Sequence, residues 1–393
     1  MAEQNLITFE KALKENYLPA WNNQLSTDPT PFLSKIKKVN LESNEIVASA
    51  PIGLSGGFGF GAEGQATPEA GNVRFDRFKT YAKDMYVNIA ISAKAVRLTG
   101  TGGAMANALD TEVKASYETA KWNVGRSLFG NGKGILANVT SSTGNTVNVD
   151  DTKFLKEGLI VDIYAKGGLT PVDKGKGRRI TAVDRANKTF TIEGEGTTFA
   201  EGFVTVQNSY NREITGLGAI FDDSIDTLYN VKKSENPYLK PVVVDAGSDI
   251  DDGIITRALR EAKNNKNSAV DTILCGDDAY DSYVSYLRTN NIRVEDMSHS
   301  ITGGFKAIKF TFGNKEVDII NESFVPAGEM WGVDSTAFEL HMQDWKFADL
   351  QGGGIFNLME GSSVYRALLA NYGDLICKNP GGCVRIINVG YTA

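Results

Sequence analysis

Histidine is almost absent from this chain of 393 residues. Only His299 and His341 occur, which argues against a histidine-based metal centre and leaves little material for acid–base chemistry near neutral pH. Cysteine is nearly as scarce. Cys275, Cys377 and Cys383 form no CxxC pair and no disulfide framework, so they read as small apolar residues, although Cys377 and Cys383 flank a KNPGG turn that could bring them together. No run of 18 or more apolar residues is present. The opening MAEQNLITFEKALKENYLPAW carries Glu3, Glu10 and Glu15 where a signal peptide would be basic and then apolar, so the chain is expected to be made and used in a cytoplasm. Positive charge is in deficit too. A net charge of −7 argues against tight nonspecific binding to a phosphate backbone. With 41% hydrophobic and 23% charged residues the chain is globular in composition, and its length points to two or three folded units.

What is present begins with residues 102–136, GGAMANALDTEVKASYETAKWNVGRSLFGNGKGIL. Met105, Leu109, Val113, Tyr117, Ala120, Val124 and Leu128 recur at helical spacing, with Asp110, Lys114, Glu118 and Lys121 on another face. The pattern predicts a helix of about 22 to 26 residues, started near Asn107 and Asp110 and ended by Gly130, Gly132 and Gly134. Such a helix needs strands laid along its apolar stripe.

Before the helix, residues 1–40 open with a short amphipathic stretch from Leu6 to Tyr17. They then lose periodicity around Pro19, Pro29 and Pro31, which reads as an arm lying on a neighbour. A strand pattern from Val39 to Pro51 leads to glycines at 53, 56, 57, 59, 61, 64 and 71. Val73 and Phe75 restart a strand, and Met85, Val87, Ile89 and Ile91 alternate with Tyr86, Asn88, Ala90 and Ser92. Two strands joined by a glycine-rich tip make a ribbon. Because a two-stranded ribbon is marginal in water, Phe58, Phe60 and Phe75 are expected to be buried on a partner surface.

Beyond the helix, residues 139–208 read as short alternating strands, among them the hairpin RRITAVD-RANK-TFTIEG, and suggest a small inserted β-barrel. From Arg212 the chain is mixed. VVVD is followed by a capped helix start at Ser248 to Asp251, and TILCGDDAYDSYVSYLRTNN repeats the strand, acidic turn and helix. Strands and helices segregate by region, which is α+β.

Four motifs offer chemistry and lack its context. Gly59-Phe-Gly61-Ala-Glu-Gly64 matches GxGxxG, but QATPEAGN cannot open the helix that a dinucleotide site requires. Gly53-Leu-Ser55-Gly-Gly57 matches GxSxG without a following helix. Gly130-Asn-Gly132-Lys133-Gly134 lies after a helix rather than before one. Asp249, Asp251 and Asp252 have the wrong spacing for a calcium loop and suit an acidic helix start. No cofactor is called for.

In order, these parts resemble the major capsid proteins of tailed bacteriophages, the Hong Kong 97-like fold. The likeness is carried by Ser127–Leu136 (SLFGNGKGIL), by Val364–Val389 (VYRALLANYGDLICKNPGGCVRIINV) and by Gly328–Leu340 (GEMWGVDSTAFEL), the last similar to that family's late peripheral strands. The resemblance implies an N-terminal arm at 1–40, a peripheral strand with an extended loop at 41–92, and a spine helix at 93–138. It implies further an inserted domain at 139–208, an axial domain at 209–335, a peripheral return at 336–373 and a closing axial strand at 374–393, with the final segments running strand, helix, strand. Subunits would form hexamers and pentamers of an icosahedral virion shell, through inter-subunit contacts at Phe58, Phe60, Arg74, Phe75, Arg77 and Trp122. A separate scaffolding protein, a portal protein, a possible decoration protein and packaged double-stranded DNA, without sequence-specific contacts, would be its partners, with no membrane. The particle would be assembled in a bacterial host cytoplasm. Two other readings stay open, a serine hydrolase using Ser55 and a phage tail or adhesion protein.

Overall fold

The computed structural model describes residues 18–27, 30–52, 56–64, 66–94, 102–247, 249–266, 268–290, 307–348, 354–358 and 361–390. Within these, the side chains of Ala20, Asn23, Gln24, Ser26, Thr27, Ala50, Pro51, Ile52, Arg74, residues 102–110, Asn265 and Lys266 lie outside the described part. The chain divides into two compact units, Gly130–Thr215 and the remainder on either side of it.

In chain order, the larger unit starts with helices Leu18–Thr27 and Pro31–Lys35, then β1 (Lys37–Asn40), β2 (Glu45–Ile52), β3 (Arg74–Tyr81), β4 (Lys83–Ser92) and the long helix Gly102–Phe129. The smaller unit holds β5 (Ile135–Gly144), β6 (Thr146–Val149), β7 (Ile160–Ala165), β8 (Arg178–Asp184), β9 (Thr189–Ile192), β10 (Thr197–Phe199) and β11 (Gly202–Val206). The larger unit resumes with the helix Leu217–Phe221, β12 (Thr227–Leu228), β13 (Val231–Lys232), β14 (Val242–Asp245), the helix Asp252–Lys266, β15 (Thr272–Cys275) and the helix Asp277–Thr289. It ends with β16 (Ile308–Phe312), β17 (Lys315–Asn321), β18 (Met330–Val333), β19 (Phe338–Met342), β20 (Lys346–Phe347), β21 (Asn357–Leu358), β22 (Val364–Cys377) and β23 (Val384–Ile387).

The long helix has 28 residues, about 42 Å at 1.5 Å per residue. It begins at Gly102, earlier than Asn107 and Asp110 suggested. Val113, Tyr117, Ala120, Val124 and Leu128 are buried as one stripe, while Met105 and Leu109 fall among the undescribed side chains. The helix packs on β4, in which Ile89 and Ile91 are buried and Tyr86, Asn88, Ala90 and Ser92 are exposed, as strict alternation requires. β4 runs antiparallel along one edge of β22, from Lys83 opposite Gly373 to Ser92 opposite Val364. Along the other edge lie β21, β20 and β19, and β1 pairs parallel with β19.

A second sheet of the same unit has the order β14-β23-β18-β15-β17-β16. The helices Asp252–Lys266 and Asp277–Thr289 cover it, burying Ile255, Leu259, Tyr283 and Leu287 against Val244, Ile273, Ile319 and Ile386. The first of these helices is capped by Asp251, whose carboxylate accepts the Ile254 N–H at 2.6 Å; Ser248 lies outside the described residues. Aromatic rings join the two sheets at the end of the long helix. Phe32 meets Phe129 at 6.1 Å and Phe338 at 5.3 Å, and Phe129 stacks on Trp331 at 6.2 Å.

Three expectations need correction. Residues 18–35 do not lie idle for a neighbour. Trp21, Leu25, Phe32 and Leu33 are buried in their own subunit, and Trp21 packs on Tyr117 at 5.2 Å. Four bulky apolar side chains outweigh the missing periodicity; the stretch from Leu6 to Tyr17 lies outside the described residues. The closing segments contain no α-helix among the described residues. VYRALLANYGDLIC is one 14-residue strand, because strand partners on both edges take up its backbone hydrogen bonds and override the helix-forming Ala and Leu. Finally, GEMWGVDSTAFEL is divided between sheets, with Met330–Val333 beside β15 and β23 and Phe338–Met342 beside β22.

In the smaller unit the pairings β5-β11-β7-β8-β9-β6 return to β5, and β10 extends along β5, so the sheet closes into a ring. Val161, Ile163, Ile180, Phe190, Ile192 and Val204 are buried within this unit. Gly134 has φ +75, and a Cβ there would stand 2.8 Å from the Ser209 carbonyl oxygen, so the GNGKG turn needs glycine at that point.

Candidate assembly interface

The ribbon is built from β2 and β3, antiparallel from Glu45 opposite Tyr81 to Ile52 opposite Arg74. Among the described strands these two pair only with each other. Alternation gives β3 two unlike faces. On one, Asp76 is half-buried, Phe78 fully buried and Thr80 buried. On the other, Phe75 is 64% exposed and Tyr81 51% exposed, and the Arg77 side chain is largely in solvent, 3.7 Å from Glu45. Lys79 lies closer to that carboxylate, at 2.8 Å, and the hydrogen bond to Glu45 raises the lysine pKa.

The buried face is tied to its own subunit. The Thr80 hydroxyl donates to the buried Asp374 carboxylate at 2.5 Å. The Lys79 N–H donates to the Tyr229 carbonyl at 3.0 Å, and the Phe78 ring lies 5.9 Å from that of Tyr229. The Tyr238 hydroxyl donates to Asp76.

Beyond β2 and β3, the described tip residues 56–64 and 66–70 are all exposed. Its two limbs touch through glycine, since a Cβ on Gly71 would stand 2.2 Å from the Gly56 nitrogen. At the end, Phe58 is 81% and Phe60 95% exposed, their rings 5.4 Å apart, edge to face. A pair of large aromatic rings held in water by a narrow ribbon is costly unless a further surface covers it.

The six residues singled out in the sequence therefore fall into separate places. Phe58 and Phe60 are together at the tip, and Phe75 and Arg77 share the outward face of β3. The Arg74 side chain lies outside the described residues. Trp122 is on the long helix, half-buried, with the Arg126 guanidinium 5.9 Å from its ring centroid. Sequence reasoning missed Tyr86 and Tyr372, whose rings meet at 6.5 Å on the open face of the β4–β22 pair. The alternation of β4 carried that signal for Tyr86; Tyr372 was hidden by the helical reading of its segment.

The enzymatic motifs find no support in this geometry. Ser55 lies outside the described residues. Described residues 66–73 contain no helix after Gly59–Gly64, and the next element is β3. Among the described residues no cluster of His, Cys, Asp and Glu could hold a metal ion, and no helix is long and apolar enough to cross a membrane.

Compared with solved structures, the chain is similar to the subunit in the capsid asymmetric unit of cyanophage A-1(L). The two are 11% identical over 92% of this chain and 93% of that one, with a TM-score of 0.53. Weaker overlaps include the capsid of the native GTA particle, at 8% identity over 93% and 90% of the two chains with a TM-score of 0.48. The SrpI encapsulin complex of Synechococcus elongatus PCC 7942 overlaps at 10% identity over 93% and 90%, with a TM-score of 0.47. No family model matches the sequence, and no curated protein matches it. The likeness to the cyanophage subunit is one of fold: this chain has the α+β, Hong Kong 97-like fold of a capsid subunit.

Proposed function

We propose that this chain is a major capsid protein that assembles with copies of itself into the icosahedral head of a tailed bacteriophage, around double-stranded DNA, and that it has no catalytic step of its own. The observation that carries the reading is the ribbon, fastened through Asp76, Phe78 and Thr80 and presenting Phe58, Phe60 and Phe75 to solvent. Within a shell, the ribbon of one subunit lies across the long helix and the β4–β22 strands of its neighbour. Phe75, Arg74 and Arg77 then act along its length, and Trp122 acts on the receiving helix. Fully burying three phenylalanines is worth about 5 to 9 kcal/mol per subunit before the costs of association, enough for a weak contact that becomes strong by repetition.

The sheet around β15, covered by its two helices, meets its copies about the five- and six-fold axes. The smaller unit is the inserted domain. A scaffolding protein, a portal protein and a decoration protein remain proposed partners, and DNA is enclosed without sequence-specific contacts. Assembly takes place in the bacterial host cytoplasm. Deleting 56–66 tests this reading: the variant is expected to stay folded and to form no stable shells by electron microscopy, and shells like those of the unaltered chain would overturn it.

A further inference from the structure

Tyr229 adopts a backbone conformation that tyrosine rarely takes. The two-residue turn between β12 and β13 has φ +50 at Tyr229 and φ +65 at Asn230, both left-handed, as a type I′ hairpin turn requires. Asparagine suits such a place, whereas a bulky side chain is held there only when its surroundings over-determine it. The surroundings here are specific. Tyr229 is 4% exposed, and its hydroxyl accepts the Cys377 N–H of β22 at 3.1 Å. Its carbonyl accepts the Lys79 N–H of β3, and its ring packs on Phe78.

Nine residues further on, Tyr238 reaches the same strand from the 3-10 turn Pro237–Leu239 and donates to Asp76. That turn is itself seated tightly, because a Cβ on Gly381 would stand 1.8 Å from the Tyr238 carbonyl oxygen. One short segment thus grips β3 at Asp76, Phe78 and Lys79, beside the Thr80–Asp374 hydrogen bond.

We infer that Tyr229 and Tyr238 are positioning residues for assembly: together they set the direction in which the ribbon leaves the subunit, and so where Phe58 and Phe60 arrive on a neighbour. The inference rests on the reading of the ribbon as an inter-subunit arm. The physical reason lies at the root. β2 and β3 have no third strand among those described, so their own pairing fixes the ribbon's form but not its angle. Any rotation at Asp76–Thr80 is multiplied along the limbs to the tip. Ordering the root in advance also removes a cost that would otherwise be met at each docking event.

The test uses the full chain with Tyr238→Phe and Tyr229→Phe, singly and together. Tyr238→Phe removes the hydroxyl that donates to Asp76 of β3. Tyr229→Phe keeps the ring and carbonyl that touch β3 and removes the hydroxyl that accepts the Cys377 N–H of β22, the anchor of the turn under Lys79. Faster hydrogen exchange at the amides of residues 74–80 is expected in the unassembled variants. The concentration needed for shell formation should rise about fivefold, the equivalent of one hydrogen bond, with a wider spread of particle diameters. Cooling well below the variant's melting transition restores a merely destabilised subunit but not a misdirected ribbon, so the defect should persist in the cold. Shells of unaltered diameter at unaltered concentration, or full rescue by cooling, would overturn the inference. Should Tyr229→Phe fail to fold, Tyr238→Phe alone, at a half-buried site, carries the test. The tip deletion separates the two levels. If that deletion assembles normally, the reading of the ribbon falls; if it fails to assemble while both tyrosine variants assemble normally, only the positioning role falls.

Discussion

Lys233 shows how a charged residue can serve as a structural fastener. Its side chain is 3% exposed, and its ammonium donates to the carbonyls of Ala219, Ile220 and Asp222 at 2.7, 3.0 and 3.0 Å, closing the end of the helix Leu217–Phe221. Burial lowers its pKa, against the pull of nearby aspartates. Lys233→Met should cost about 3 kcal/mol, read as a lower urea midpoint with unchanged slope, because two buried carbonyls and one half-buried carbonyl lose this donor. A second cluster sits where β1 meets β19. Burial opposes ionisation of Glu339, but hydrogen bonds from Lys378 at 2.8 Å and Lys37 at 2.9 Å prevail and hold it at about 2. A lowered carboxylate contributes stability above its unfolded pKa of about 4.3, and that contribution is lost as pH falls through the folded value. His341 lies 3.5 Å from Glu339, and burial holds its pKa below 6.5, so the unfolded chain takes the proton first. Stability from His341 is therefore complete above pH 6.5 and declines as pH falls below it. The melting temperature should drop between pH 7 and pH 5, and His341→Gln should flatten that part of the profile.

At the scale of elements, the ribbon and the long helix were legible because period 2 and period 3.6 are strong signals where one face is buried. The buried stripe from Val113 to Leu128 and the exposed even positions of β4 follow directly from spacing. Less legible was β22. Its composition favours helix, and only its non-local partners β4, β19, β20 and β21 make it a strand. Residues 18–35 were misread for a related cause: their apolar residues are few but large, and a periodicity test counts positions rather than area. The grips on β3 were invisible, since Tyr229 and Tyr238 stand more than 140 residues from Asp76 and Thr80 in sequence and no local pattern marks a clasp. Replacing both Phe58 and Phe60 by Ser should leave the subunit's melting temperature within about 2 °C, because neither ring is buried in its own chain, yet should abolish shell formation. A large loss of subunit stability in that variant would place the two rings inside their own chain instead.

For the molecule as a whole, two compact units divide the chain, and the excursion 130–215 starts at the residue after the long helix and hands back to the larger unit at Gly216. Its closed ring of strands leaves no long unpaired edge within it, which protects the smaller unit against edge-to-edge pairing with other chains. The larger unit, by contrast, keeps a two-stranded ribbon with Phe58, Phe60 and Phe75 exposed, the feature on which the proposed assembly rests. The most direct test is an electron cryo-microscopy reconstruction of particles formed by the purified chain. The account predicts a closed shell in which each ribbon lies on the adjacent subunit, with Phe58 and Phe60 buried against that neighbour's β4–β22 strands and long helix. A chain that stays monomeric at high concentration, or a shell in which those two rings remain in solvent, would contradict it.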